Sequence, residues 1–213
     1  MRRTPSPSFI DISVLVQPGT PEWPGDVPFS CGWTCRIADG AAINLSSVAG
    51  SPHVGTHADA PLHVHDAWPA SDSLPLDAFV GPALVLDVRA ARDDELPLDP
   101  DDPRLAGVER LLLRTGRCIA DGTFPSGWPT VREATARALA ARGLRLLGVD
   151  APSVDTRESK SLAVHHALFG AGAFVLENLD LRSVDEGPYE LLALPQRLAG
   201  LDAAPVRAAL RRR

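Results

Sequence analysis

The sequence predicts an α/β fold in a single compact domain running from residue 1 to residue 213, and three observations carry that prediction. Short apolar runs with strand character recur along the chain, at 9–16, 82–88, 108–115, 145–150 and 173–181. One of them, 145–150, follows directly on a helical pattern at 131–143, and helix-to-strand succession marks an α/β arrangement. A length of 213 residues, with 45% hydrophobic and 23% charged side chains, suits one domain with a sizeable core.

In chain order, FIDISVLV (9–16) alternates as a strand with one buried face. QPGTPEWPGDVP (17–28) is a proline- and glycine-rich loop whose Trp23 is left equally open to packing and to ligand contact. INLSSVA (43–49) reads as a strand feeding the histidine-rich segment considered below. PALVLDV (82–88) and VERLLLRT (108–115) read as buried strands. The acidic, proline-rich stretch RDDELPLDPDDP (92–103) between them reads as a surface excursion. VREATARALAARG (131–143) is a helix with Thr130 as N-cap, Glu133 at the third position and Gly143 as C-cap. RLLGVD (145–150) is the strand after it. SLAVHHALFG (161–170) is a short helix, AFVLENLDL (173–181) a strand with a polar tail, and YELLALP (189–195) a further strand. PVRAAL (205–210) fits either strand or helix, and no internal repeat or domain boundary is visible.

Charge and cysteine usage exclude several classes. A net charge of −6 argues against a general phosphate-binding surface and so against nucleic acid as a partner. The arginines 211–213 read as a frayed, solvated end. No apolar stretch is long enough to span a bilayer, and MRRTPSPSFIDISVLV lacks the uninterrupted apolar core of a secretion signal. Three cysteines, Cys31, Cys35 and Cys118, make no disulfide framework, and the CGWTC spacing is not that of a redox or zinc motif. The expectation is a cytoplasmic protein with reduced thiols, no membrane and no nucleic-acid partner.

The chemistry is concentrated in HVGTHADAPLH (53–63). His53, His57, Asp59 and His63 fall within eleven positions there, using three of the six histidines. Imidazole and carboxylate together suit zinc or a similar borderline divalent ion. An HxxxH pair also occurs on the helix of zinc proteases, but there a Glu follows the first His. Here Val54, Gly55 and Thr56 follow, a poor helix interior, and Pro61 pushes its predecessor toward extended geometry. The motif is therefore placed at a strand end entering a loop, where alternation throws His57, Asp59, Pro61 and His63 to one side. Farther along, His165 and His166 are adjacent, so on a helix only one of them readily faces the motif. Glu177, in VLEN, stands among apolar residues on an expected buried strand, and buried carboxylates are seldom left without a partner or a metal. A bridging Asp with an extra His and Glu would hold a second ion, as two-metal hydrolases do. His65 lies beyond the motif and reads as solvated.

The pattern HxGTHxDxPxH, with His53, Gly55, Thr56, His57, Asp59, Pro61 and His63, resembles the signature of the metal-dependent cyclase family. Within that family the chain is most similar to the bacterial kynurenine formamidase branch, through DIS (11–13), TPEWPGDVPF (20–29), LLLRT (111–115), GVDAPSVD (148–155), SKSLAVHHA (159–167), YELLALP (189–195) and LDAAPVRAALR (201–211). The resemblance implies a compact α/β domain with a β-barrel-like mixed sheet flanked by a few helices, working as a homodimer or larger homo-oligomer. It implies two zinc ions per subunit, with Mn²⁺ or another divalent ion as alternative. His53, His57 and Asp59 would hold one ion, and Asp59, His165 and Glu177 the other. It further implies His63 as general acid and base, Trp23 as a substrate contact, and hydrolysis of N-formyl-L-kynurenine to L-kynurenine and formate.

Three rival readings remain on sequence grounds. A cyclic imide or lactam such as isatin would need the same activated water. A purely structural zinc is disfavoured because such sites are closed and often cysteine-rich, whereas the ligands here are imidazole and carboxylate. A thiol enzyme built on Cys31 and Cys35 has the wrong spacing.

Overall fold

The computed structural model describes residues 9–90 and 95–212. The readings made for residues 1–8, for Arg92–Asp94 and for Arg213 lie outside those described residues. A nine-stranded mixed sheet dominates the chain. Its strands, in chain order, are β1 (Ile10–Asp11), then, after a separate two-stranded ribbon of β2 (Ser30–Cys35) and β3 (Leu45–Ala49), β4 (His57–Asp59), β5 (Val80–Asp87), β6 (Arg110–Arg114), β7 (Leu146–Val149), β8 (Phe174–Glu177), β9 (Gly187–Leu192), β10 (Ala203–Pro205) and β11 (Ala209–Arg212). The helices are α1 (Leu76–Phe79), α2 (Glu133–Ala141) and α3 (Ala163–Gly170). Across the sheet the order is β1-β11-β9-β5-β6-β7-β8-β4-β10, with β5 through β8 parallel and the remaining pairs antiparallel.

This sheet must curl. β10 pairs with β4 at one edge while β11 pairs with β9 toward the other. Only the short stretch from Pro205 to Ala209 joins them, which spans at most about 14 Å when extended. The segment after β1 ties the same seam, since Ile12 N–H donates to the Ala208 carbonyl at 3.0 Å and Asp180 N–H to the Ile12 carbonyl at 2.8 Å. The β-barrel-like mixed sheet that the resemblance implies is observed as a large curled sheet, a half-barrel.

Strand alternation then divides the core in two. Leu112, Leu146, Leu176, Leu191 and Leu210 point inside the curl with Ile12, Phe79 and Tyr189. Leu111, Leu113, Leu147, Val149 and Val175 point outward, against Ala136 and Leu139 of α2 and Val164 and Leu168 of α3. Arg110 is buried at the head of β6, where its guanidinium donates to the carbonyls of Asp77 and Ala78 and so ties α1 to the sheet.

Several expected elements differ. Burial alternates through 9–16 as expected, with Ile12 and Val14 buried and Asp11 and Leu15 exposed. Only Ile10–Asp11 form a strand, because the segment then crosses the seam and bonds to Ala208 on one side and to Leu179 and Asp180 on the other. The 43–49 run does not feed the sheet. β3 pairs with β2 as a ribbon whose side chains are nearly all exposed. Thr130 does not cap α2. It forms a parallel bridge with Glu95 and accepts from Leu96 N–H at 2.7 Å, leaving Arg132 at the cap without a side-chain bond. That bridge makes the later part of the 92–103 connection more than a surface excursion, for Leu96 is buried. The C-terminal arginines are not frayed either: Arg211 and Arg212 belong to β11 and pair with Glu190 and Asp185. PVRAAL resolves into parts of two strands.

Gly148 sits where β7 meets the inner core, and an added Cβ would come within 2.4 Å of Leu112 Cδ2 and 3.0 Å of Leu179 Cδ1. Gly148→Ala should destabilise the protein by about 1–3 kcal/mol through overpacking. Urea unfolding measures this, and a midpoint equal to that of the unchanged chain would contradict the packing described.

Candidate metal centre

The eleven-residue motif folds as a turn, a three-residue strand and a second turn. Gly55 has φ +76°, and a Cβ there would lie 2.4 Å from Val16 Cγ2, so the position takes glycine alone. Its carbonyl accepts from His57 Nδ1 at 2.9 Å, which turns His57 Nε2 toward the interior. Thr56 fastens the turn on both sides, its hydroxyl accepting from Val14 N–H at 2.9 Å and donating to the Asn178 carbonyl at 2.6 Å. β4 lies between β8 and β10, and the register sets His57 opposite Glu177 and Asp59 opposite Ala203. Pro61–His63 is a 3₁₀ turn, so the expected alternation stops at Asp59, though His63 still faces the site.

The five expected ligand residues converge as two trios that share Asp59. Asp59 Oδ1 lies 3.2 Å from His53 Nδ1 and 3.2 Å from His57 Nε2, and those two nitrogens are 3.1 Å apart. Asp59 Oδ2 lies 3.1 Å from His165 Nε2, which is 3.4 Å from Glu177 Oε1. Asp59 is completely buried, yet its Oδ1 has no aligned hydrogen-bond donor. A buried carboxylate oxygen without a donor is costly, and two nitrogens aimed at the same point beside it make a cation the natural partner. The donor set fits a divalent ion in each trio.

Each imidazole is held from behind by a different acceptor. His53 Nε2 meets Asp202 Oδ2 at 2.9 Å, His57 Nδ1 meets the Gly55 carbonyl, and His165 Nδ1 meets Asp155 Oδ2 at 2.7 Å. Such backing fixes the tautomer and leaves the opposite nitrogen for a metal. Asp155 also accepts from the backbone N–H groups of Val164 and His165, both at 3.1 Å, which fastens the first turn of α3 and orients His165. Val154 N–H donates to Glu177 Oε1 at 2.8 Å.

This crowding of acids and imidazoles moves their proton equilibria. Burial works against a charged His53, but hydrogen bonds to Asp202 and Asp59 and the fields of both carboxylates prevail, pushing it up to about 10. His57, also opposed by burial, is pushed up to about 9 by Asp59 and Glu177. Against burial, Asp155, Asp59 and Glu177 raise His165 well above its ordinary value. Burial would raise Asp59, yet the His57 charge and the adjacent imidazoles hold it well below the usual carboxylate range. Glu177 is lowered, burial and Asp59 being outweighed by His165 and His57. Hydrogen bonds from His53 and His63 lower Asp202 most strongly.

The centre opens into a cleft of about 450 Å³ lined by His53, His57, His63, His165 and Glu177 on one side and Trp23 and Phe124 on the other. Trp23 is 37% exposed and meets Phe124 and Trp128 edge to face at 5.6 and 5.9 Å, so it both packs and lines the cleft. Arg157, Lys160 and Asp26 stand at the same cleft. A second cavity of about 390 Å³, lined by residues such as Trp68, Leu74 and Phe169, holds no charged side chain and offers no chemistry. His166 turns away from the centre onto Trp68, on which His65 also stacks. Cys31, Cys35 and Cys118 are free thiols away from the centre. The sequence reading missed Asp155, Asp202 and Phe124. The first two lie in the segments GVDAPSVD and LDAAPVRAALR, but nothing in a one-dimensional pattern tells which acid will back which ring.

The half-barrel thus carries two trios of imidazole and carboxylate that could each hold a metal ion at the floor of an open cleft. The Cyclase family model matches residues 10–156. A kynurenine formamidase of Salinibacter ruber is 46% identical over 206 residues, covering 96% of this chain and 97% of its own. A solved "potential metal-dependent hydrolase with cyclase activity" superposes with a TM-score of 0.80 at 28% identity, covering 96% of this chain and 98% of its own. Isatin hydrolase A from Ralstonia solanacearum superposes with a TM-score of 0.78 at 22% identity, covering 96% and 92%, which is a likeness of fold. The chain belongs to the Cyclase family and is a hydrolase. Among the described residues no helix is long and apolar enough to cross a membrane.

The raised imidazoles make stability depend on pH in a definite direction. Without metal, folded His53 and His57 keep protons up to about 10 and about 9, whereas unfolded histidine loses its proton near pH 6.5. Their contribution is thus complete below about pH 6.5 and lost as the pH rises through 9 and 10. Metal-stripped protein should weaken steadily over that window in urea unfolding. Zinc-loaded protein, whose imidazoles are already deprotonated, should not. A flat metal-free profile would contradict the assignment.

Proposed function

We propose that this enzyme hydrolyses N-formyl-L-kynurenine to L-kynurenine and formate, using two divalent ions per chain, zinc first and Mn²⁺ as alternative. The observation that carries the reading is the pair of trios sharing Asp59 at the floor of an aromatic-walled cleft. His53, His57 and Asp59 would hold one ion, and Asp59, His165 and Glu177 the other. Divalent ions in such a centre make water acidic enough to ionise near neutrality and polarise the carbonyl under attack. The relatives called kynurenine formamidase, at 46% and 41% identity over nearly the whole chain, support the formamide as substrate.

The residues of the chain have separate tasks. His63 borders the cleft beside His53, with ring centroids 4.6 Å apart, and takes a proton from the attacking water before delivering it to the arylamine nitrogen. Trp23 and Phe124 give flat apolar faces for the aromatic ring of the substrate. Arg157 and Lys160 complement an α-carboxylate, and Asp26 an α-ammonium group. Those charges favour a formylated amino acid over isatin, which carries neither group. Cytoplasmic location accords with the free thiols. A homodimer or larger homo-oligomer is supported by the β2–β3 ribbon, which exposes Trp33, Leu45 and Val48.

Purified zinc-loaded protein should turn over N-formyl-L-kynurenine in preference to isatin, with two zinc ions per chain and an oligomer by light scattering. Preference for isatin would overturn the substrate, and a monomer the assembly. Arg157→Gln should raise KM for N-formyl-L-kynurenine about tenfold or more while sparing formanilide, as expected for loss of a charge-assisted hydrogen bond. Equal losses on both would remove Arg157 from substrate recognition. His63→Ala should lower kcat about a hundredfold with metal content intact. Loss of metal would make His63 a ligand instead.

A further inference from the structure

Asp202 makes contacts that the proposed hydrolysis does not use. It immediately precedes β10, whose Ala203 pairs with Asp59, and its backbone carbonyl accepts from Ala60 N–H at 2.8 Å. The register that seats β10 beside β4 therefore also fixes this carboxylate. Its Oδ2 atom meets two different rings, His53 Nε2 at 2.9 Å and His63 Nδ1 at 3.1 Å. An ionised carboxylate only accepts hydrogen bonds, so both of those nitrogens must donate. In the neutral rings His53 Nδ1 then keeps its lone pair toward Asp59 and His57, and His63 keeps the lone pair of its other nitrogen. A base that takes a proton from water needs such a lone pair.

We propose that Asp202 is a positioning residue that sets the tautomers of His53 and His63 together, through one shared carboxylate oxygen. It thereby joins one metal trio to the acid–base histidine. The inference rests on reading the cleft as a two-metal hydrolase centre. Asp155 backs His165 in a similar way, but it is buried and also fastens α3, so its loss would disturb the fold. Asp202 is 43% exposed and fills no core position, which allows its orienting role to be separated from packing. The ligand atoms of His53, His63 and Asp202 are also close enough to hold a cation of their own. That arrangement would require His53 to ligate through both nitrogens, and the contacts of 2.9 and 3.1 Å are ordinary hydrogen bonds.

The test compares Asp202→Asn and Asp202→Glu with the unchanged enzyme, alone and combined with His63→Ala. Asp202→Asn should lower kcat about 10- to 100-fold and weaken zinc binding in chelator competition by a similar factor, with little change in KM. Asp202→Glu should recover part of both. In the His63→Ala background the kcat loss should largely vanish while the zinc loss persists, because the two rings report separately. Proton–nitrogen NMR of the imidazoles should show donors at His53 Nε2 and His63 Nδ1 that both shift in Asp202→Asn. Zinc affinity and NMR need no substrate, so they decide the matter even if N-formyl-L-kynurenine is not turned over. The proposal is overturned by wild-type kcat and zinc affinity in Asp202→Asn, or by losses that multiply with His63→Ala. It is also overturned by a third zinc per chain that disappears with Asp202.

Discussion

Asp59 is the constraint on which the rest of the centre depends. Its two oxygens face in different directions, one toward His53 and His57, the other toward His165, and neither can reach water. A carboxylate placed in that position without compensation would be strongly destabilising, since burying an unpaired charge costs several kcal/mol. In the absence of metal the surrounding imidazoles must supply positive charge by holding protons, as their raised equilibria describe. Divalent ions held there would replace that charge with a more concentrated one, and the same three rings would then serve as neutral ligands. Protonated and metal-loaded forms are two solutions to one electrostatic problem.

The fold solves the geometric half of that problem through sheet register rather than through loops alone. β4 is short, but it has neighbours on both sides, and each contributes to the centre. β8 brings Glu177 opposite His57, and β10 brings Asp202 past the end of the strand. A curled sheet makes this possible, because it draws residues near position 57, near 177 and near 202 to adjacent strands. The fourth contribution comes from α3, oriented by Asp155 before its first turn. Strands position a side chain more firmly than a mobile loop does, which suits groups that must stay within a few tenths of an ångström.

Much of this was legible in the sequence, for identifiable reasons. The parallel strands announced themselves as apolar runs because both their faces are buried, and α2 and α3 by their composition and closing glycines. The candidate ligands stood out because His53, His57 and Asp59 crowd a segment too irregular for a helix, and because Glu177 is a charge on an apolar strand. What escaped depended on contacts between distant parts of the chain. Thr130 and Glu133 have the right spacing for a cap, but Thr130 is taken by a bridge to Glu95. The 43–49 run has strand character without a buried face, so its pattern could not tell a ribbon from a sheet strand. Arg211 and Arg212 look like a solvated tail until Glu190 and Asp185 are found beside them. Asp155 and Asp202 are ordinary acids in sequence and acquire meaning only from the rings they support.

The most direct test of the shared carboxylate is anomalous diffraction at the zinc edge from crystals of the zinc-loaded protein. Two peaks should flank Asp59, each about 2.0–2.2 Å from one of its oxygens. One should also be bonded to His53 and His57, and the other to His165 and Glu177. A single peak, or peaks that leave Asp59 uncoordinated, would contradict the account.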